Sequence, residues 1–107
     1  TYNKCCAIGP SFVTPSSITN PNALTIQCSI FRNGKLIFKD DSSTSLMSRG
    51  FVSLKKWLTK SNTVPDMTTF LTGTPIIPPP EFSLLEGDLV QIAITDIGTL
   101  ENRVVTV

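Results

Sequence analysis

The sequence Thr72-Gly73-Thr74-Pro75 places two hydroxyls around a glycine, directly after the apolar run of residues 67–71. A glycine lets backbone N–H groups approach an anion, and threonine hydroxyls donate to a carboxylate. A small carboxylate-binding loop is one reading. A strand-end turn, with the hydroxyls bonded to the local backbone, is the other. The acids are less promising. Asp40 and Asp41 are adjacent, so in a strand their side chains point apart, and Glu86 and Asp88 flank a turn glycine. Both pairs read as solvated turn residues, and no acid cluster has metal-ligand spacing. The three cysteines are Cys5, Cys6 and Cys28, without a C-x-x-C spacing. Adjacent cysteines rarely pair, so the reading is reduced, buried thiols in a cytoplasmic, intracellular protein. The chain has no histidine. Ser-His or Cys-His catalysis and His-based zinc sites therefore cannot be built from it alone.

Composition narrows the classes further. Nine basic and eight acidic residues leave a net charge of +1, and 40% of the 107 residues are hydrophobic. A chain that apolar and that weakly charged is expected to fold rather than stay disordered. Without a basic run, no nucleic-acid partner is expected. No segment reaches the ~18 apolar residues of a membrane helix, so no membrane partner is expected. The length suits one domain, without an internal repeat or boundary. The chain begins with Thr1 and shows no signal-peptide pattern, which reads as a piece of something larger.

The elements that must position the loop read as follows. Residues 1–22 are irregular, punctuated by Pro10, Pro15 and Pro21, with a short strand at 11–14. Residues 24–30 alternate strictly, with Leu24, Ile26, Cys28 and Ile30 on one face. Asn33-Gly34 then predicts a type I′ hairpin turn, with a return strand at 36–38. Residues 40–45 read as a polar loop in which Thr44, Ser45 or Ser48 caps a helix over 46–60. Met47, Phe51, Leu54 and Leu58 share one face of that helix, and Lys55, Lys56 and Lys60 suit its C-terminal end. Gly50 either weakens the helix or admits a close backbone approach. Residues 67–71 read as a short buried strand, 76–80 as a stiff proline-rich run, 89–95 as a strand and 100–107 as the last strand. The fold class is mainly β with one α-helix.

Three blocks in order then carry a family resemblance. Phe70-Leu71-Thr72-Gly73-Thr74-Pro75, Leu85-Glu86-Gly87-Asp88-Leu89-Val90 and Asp96-Ile97-Gly98-Thr99-Leu100-Glu101-Asn102 resemble the C-terminal half of the fumarylacetoacetate hydrolase superfamily. Ala7-Ile8-Gly9-Pro10 resembles its x-G-P segment, and Asn20-Pro21 through Asn33-Gly34 its central hairpin, so the resemblance covers nearly the whole chain. Cys5-Cys6-Ala7-Ile8-Gly9-Pro10 and Val64-Pro65-Asp66 look like the 2-keto-3-deoxy sugar-acid dehydratase branch. Pro75 is closer to the acylpyruvate hydrolase branch.

The resemblance implies the C-terminal part of a mixed β-roll or sandwich, usually a homodimer, acting on a 2-keto or 2,4-diketo acid. It implies a divalent cation, Mg²⁺ or else Mn²⁺ or Ca²⁺, that chelates the substrate and stabilises an enolate. By position, Thr74 would bind the substrate carboxylate, and Thr72 and Gly73 would shape the loop. The family's metal-binding carboxylates, an E-x-E strand and a later Asp, have no counterpart in this sequence. The family's active-site lysine, counted back from Gly9, falls just before Thr1. Lys4 is out of register and reads as a surface charge. No catalytic residue and no metal ligand is therefore assigned within residues 1–107. The expected partner is an upstream half of the same catalytic domain, which would hold the cation. The alternative is a non-catalytic structural or interaction remnant of the fold.

Overall fold

The computed structural model describes residues 5–106. Four antiparallel strands make one sheet: β1 (Thr25–Arg32), β2 (Lys35–Ser43), β3 (Leu89–Ile94) and β4 (Gly98–Arg103), in the spatial order β2-β1-β3-β4. One helix, α1 (Phe51–Thr59), lies between β2 and β3 in sequence. The protein is thus mainly β with one helix, as its sequence predicts.

The β1–β2 hairpin follows from its turn. Asn33 and Gly34 have φ of 51° and 75°, both positive, as a type I′ turn requires. Across the ladders Ile26 faces Ile94, Cys28 faces Ile92 and Ile30 faces Val90, while Ile92 faces Leu100. Alternation places these residues on one apolar face. The opposite face carries Gln27, Ser29, Lys39, Gln91 and Glu101. Two segments approach the apolar face. Phe82 meets Phe38 with ring centroids 5.7 Å apart, and a Cβ built on Gly9 would lie 3.9 Å from Leu100.

Several sequence expectations need correction. Residues 11–14 form no strand. They have no neighbouring ladder, and Thr14 instead bonds Ser16 and Ser17 as the chain enters a 3-10 turn at Pro15–Ser17. The polar stretch of Asp40, Asp41 and Ser42 is not a loop but the second half of β2. An edge strand bonded on one side tolerates polar side chains in water. The helix is shorter than 46–60. Residues Thr44–Leu46 make a separate 3-10 turn, and extended Gly50 (ψ 158°) is the cap of α1. None of the predicted caps serves α1. The Thr44 hydroxyl instead accepts from the N–H of Leu24 and donates to the Pro21 carbonyl, tying the entry to β1.

Residues 67–71 form no strand, and Phe70 and Leu71 are 44% and 69% exposed, so this apolar run is not buried either. The last strand is β4, which starts at Gly98 and ends at Arg103. Lys4 and Val107 lie outside the described residues. The cysteines also depart from the buried reading: Cys5 and Cys6 are exposed, and Cys28 is half-buried.

Asp88 is the main surprise among the acids. Asp40, Asp41 and Glu86 are exposed as expected, but Asp88 is 1% exposed. Its Oδ1 accepts from Arg32 Nε and its Oδ2 from Arg32 Nη2, both at 2.8 Å. Oδ2 also accepts from the N–H of Leu85 at 2.9 Å. Arg32 Nη2 reaches on to the Ser83 carbonyl, and the Asp88 carbonyl accepts from the N–H of Val104. One residue thereby joins the end of β1, the 83–85 loop, the start of β3 and the end of β4.

The buried apolar core among the described residues is small: Leu24, Ile30 and Ile76. The chain exposes 8437 Å², whereas a self-contained globule of its mass would expose about 5,800 Å². Its radius of gyration is 15.6 Å, against about 13 Å for a compact domain of this length.

The Arg32 guanidinium, followed by the Leu85 N–H, holds the Asp88 carboxyl down at about 2. A carboxyl lowered on folding stabilises the folded state above its unfolded value of ~4. That stability is lost as pH falls through about 2. Thermal midpoints of the intact protein between pH 5 and 2 should therefore fall less steeply for Asp88→Asn than for wild type. The variant should also melt lower at neutral pH. Parallel acid slopes would show that this carboxylate is not a main source of acid sensitivity.

Candidate substrate-binding site

A cavity of about 570 Å³ opens between the sheet and the segment that leads into α1. Its apolar wall includes Ile26 from β1 with Met47, Phe51 and Leu54. The Thr72-Gly73-Thr74-Pro75 loop forms another wall, and Ser48 and Arg49 line it just ahead of α1. The cavity exists because α1 does not pack closely on any strand. The chain leaves the sheet at Ser43, turns through Thr44–Leu46 and enters the helix only at Phe51.

All three sequence-predicted site residues, Thr72, Gly73 and Thr74, line this cavity. Gly73 has φ +99°, a conformation that a side chain would strain, and nothing lies within 4 Å of the position a Cβ would take. The Thr74 hydroxyl donates to the Ile76 carbonyl at 3.3 Å and accepts from the Ile76 N–H at 3.4 Å. Both bonds are long, at the weak end of hydrogen-bond geometry. The local-turn bonding that the sequence allowed is therefore present, and its length leaves the hydroxyl easy to redirect to a better acceptor.

Arg49 is the only charged side chain lining the cavity among the described residues. The sequence reading did not single it out. The signal was an arginine between Ser48 and Gly50, ahead of a helix whose first turn carries no acid. Asp88, by contrast, is structural, since its carboxylate is fully used by Arg32 and Leu85.

Magnesium prefers carboxylate and water oxygens in octahedral geometry. Among the described residues no group of three His, Cys, Asp or Glu side chains could hold a metal ion. No carboxylate lines the cavity, and its one charged group is a cation. This donor set does not fit a Mg²⁺ site. Cys28 does not offer a nucleophile either. Burial, with the Asp40 charge across the β1–β2 ladder as the second cause, pushes its thiol pKa up. Among the described residues no helix is long and apolar enough to cross a membrane.

Cys28 should therefore alkylate several-fold more slowly than exposed Cys6 at pH 8, read by peptide mass spectrometry of the native protein. The gap should close in denaturant. Equal native rates would mean that the apolar face opens readily.

Residues 1–105 match the family described as fumarylacetoacetate (FAA) hydrolase C-terminal. The chain is 44% identical over 106 residues to the probable 2-keto-3-deoxyxylonate dehydratase of Haloferax volcanii, covering 99% of this chain and 37% of that protein. It is 39% identical over 99 residues to the 2-dehydro-3-deoxy-D-arabinonate dehydratase of Saccharolobus solfataricus, covering 92% of this chain and 33% of that protein. A solved 2-keto-3-deoxy-D-arabinonate dehydratase, complexed with magnesium and 2,5-dioxopentanoate, superposes with a TM-score of 0.92. Its sequence identity is 38%, over 95% of this chain and 36% of that one. The chain thus spans about a third of the length of these relatives. With nearly all its residues matched and its fold shared, the chain belongs to the fumarylacetoacetate hydrolase family.

Proposed function

We propose that residues 1–107 are the C-terminal portion of one catalytic domain, in an enzyme that acts on a 2-keto acid through an enolate. The observation that carries this reading is the cavity wall made by Thr72, Gly73 and Thr74, in a chain of this family. Loss of water from a 2-keto-3-deoxy sugar acid is the favoured reaction, because the relatives above are named for it. An acylpyruvate or fumarylacetoacetate type of hydrolysis would use the same recognition of the 2-keto acid end.

In this reading the chain's own residues bind and orient. The Thr74 hydroxyl turns from the Ile76 backbone to the substrate carboxylate. Positive-φ Gly73 keeps the loop free of a side chain where the carboxylate approaches. Ile26, Phe51 and Leu54 line the cavity with apolar surface, which excludes water and strengthens polar interactions at its rim. A bound divalent cation would supply electrophilic stabilisation of the enolate. Its ligands, and the base that takes the substrate proton, belong in this proposal to an upstream part of the domain.

The surface supports such a partner. Phe12, Leu71 and Ile77 are among the large apolar side chains left exposed, and the excess area over a compact globule is about 2,600 Å². That excess is comparable to what a permanent interface hides. Further copies of the whole domain, as in a homodimer, could cover part of it.

Two measurements test the proposal. The 107-residue chain expressed alone should not give a monodisperse monomer with a cooperative melt. A stable solitary fold without affinity for a 2-keto acid would favour the non-catalytic remnant instead. In the intact protein, Thr74→Val removes one hydroxyl at nearly constant volume. It should weaken binding of oxalate, a mimic of the 2-keto acid end, by ~1–3 kcal/mol, or roughly 5- to 150-fold in Kd. Its stability should change by less than about 0.5 kcal/mol. Unchanged affinity in a correctly folded variant would remove Thr74 from the site.

A further inference from the structure

We infer that Arg49 is this chain's own cationic contact in substrate recognition, additional to the divalent cation: it pairs with the carboxylate that the Thr72–Thr74 loop binds through neutral donors. The inference rests on the proposed function and adds a residue that neither the family motif nor the relatives' names point to.

Three observations carry it. Arg49 lines the same cavity as Thr72, Gly73 and Thr74, and no carboxylate lines that cavity with it. The only salt bridge among the described residues is Arg32 with Asp88, and the side-chain hydrogen bonds leave Arg49 without a protein partner. The cavity's remaining polar lining is hydroxyl and backbone: Ser43, Thr44, Ser48 and the threonine loop.

The physical need is plain. A carboxylate moved from water to a wall of Ile26, Phe51 and Leu54 loses hydration that hydroxyl groups alone do not replace. Hydrogen bonds from a guanidinium are charge-assisted and roughly twice as strong as neutral ones, and its fork matches both carboxylate oxygens. Thr44 and Ser43 cannot take that role. Both are neutral, and the Thr44 hydroxyl is already held between Leu24 and Pro21. Among the described residues Arg49 is exposed and has no ion pair, so no contact described in the fold uses its charge.

The test compares pyruvate with pyruvamide, a neutral 2-keto analogue of the same shape, on the intact Mg²⁺-loaded protein by calorimetric titration. Wild type should prefer pyruvate, and the preference should shrink as salt rises. Arg49→Gln should weaken pyruvate binding roughly 10- to 100-fold, leave pyruvamide nearly unchanged and flatten the salt dependence. Arg49→Lys should recover part of the loss, because it restores the charge but not the fork. The melting temperature of Arg49→Gln should match wild type.

An undiminished preference for pyruvate in Arg49→Gln overturns the inference. If Thr74→Val loses oxalate binding at the same time, the loop reading stands without Arg49. A lower melting temperature with unchanged ligand ratios would show that Arg49 pairs with another part of the protein, which also overturns it. Wild type without any preference for the acid would overturn both this inference and the proposed site.

Discussion

The bidentate pair of Arg32 and Asp88 is the constraint on which the sheet depends. Arg32 ends β1 at the hairpin turn, and Asp88 stands one residue ahead of β3. More than fifty residues of sequence separate them, including α1 and the proline-rich run. Their two parallel hydrogen bonds set where β3 begins against β1, so that Phe31 faces Leu89 and Ile26 faces Ile94. A slip of one residue would turn the apolar set of β3 to the polar side. Asp88 also accepts from Leu85 and, through its carbonyl, from Val104. The carboxylate therefore has the several partners that a buried charge requires.

From that register the two faces of the sheet follow. The apolar face receives Phe82 and the Gly9 segment, yet among the described apolar residues only Leu24, Ile30 and Ile76 become buried. Helix α1 half-buries Phe51, Leu54 and Leu58 but leaves Val52 and Trp57 exposed. Trp57 is capped by the Lys60 ammonium, 4.8 Å from its ring centre. A cation over an aromatic face is a surface arrangement, modest in energy when hydrated.

The legible parts of the sequence were those governed by local rules. Asn33-Gly34 specifies its turn because two consecutive positive φ angles exclude most residues. The alternation of residues 24–30 and 89–94 predicts β1 and β3 because a half-buried strand sorts its side chains by parity. The misread parts turn on distant partners. Asp40 and Asp41 look like a loop until β1 supplies a ladder for them. Residues 67–71 look like a strand, but among the described residues none of the sheet's four strands pairs with them. Asp88 looks like a solvated turn residue until Arg32 arrives from the other hairpin. Thr72, Gly73 and Thr74 read either as a carboxylate-binding loop or as a strand-end turn, and the fold brings them to one cavity wall. Arg49, which the inference above adds, carries no signal in the sequence, because a single arginine before a helix has no partner until the fold places the Thr72–Thr74 loop on the same cavity.

The same physics explains why the cavity lies where it does. A site for a small anion needs polar donors at the edge of a dry wall, and such a wall exists only where an apolar surface is left without its own covering. Between β1 and α1 this chain leaves that surface open: Ile26 and Leu54 are half-buried rather than packed together. Closing the gap by docking α1 on the sheet would bury more apolar area and remove the cavity. Thr44 ties the chain to Leu24, and the helix starts only after extended Gly50. Stability is forgone along this seam, and the Arg32–Asp88 hub keeps the sheet in register without it.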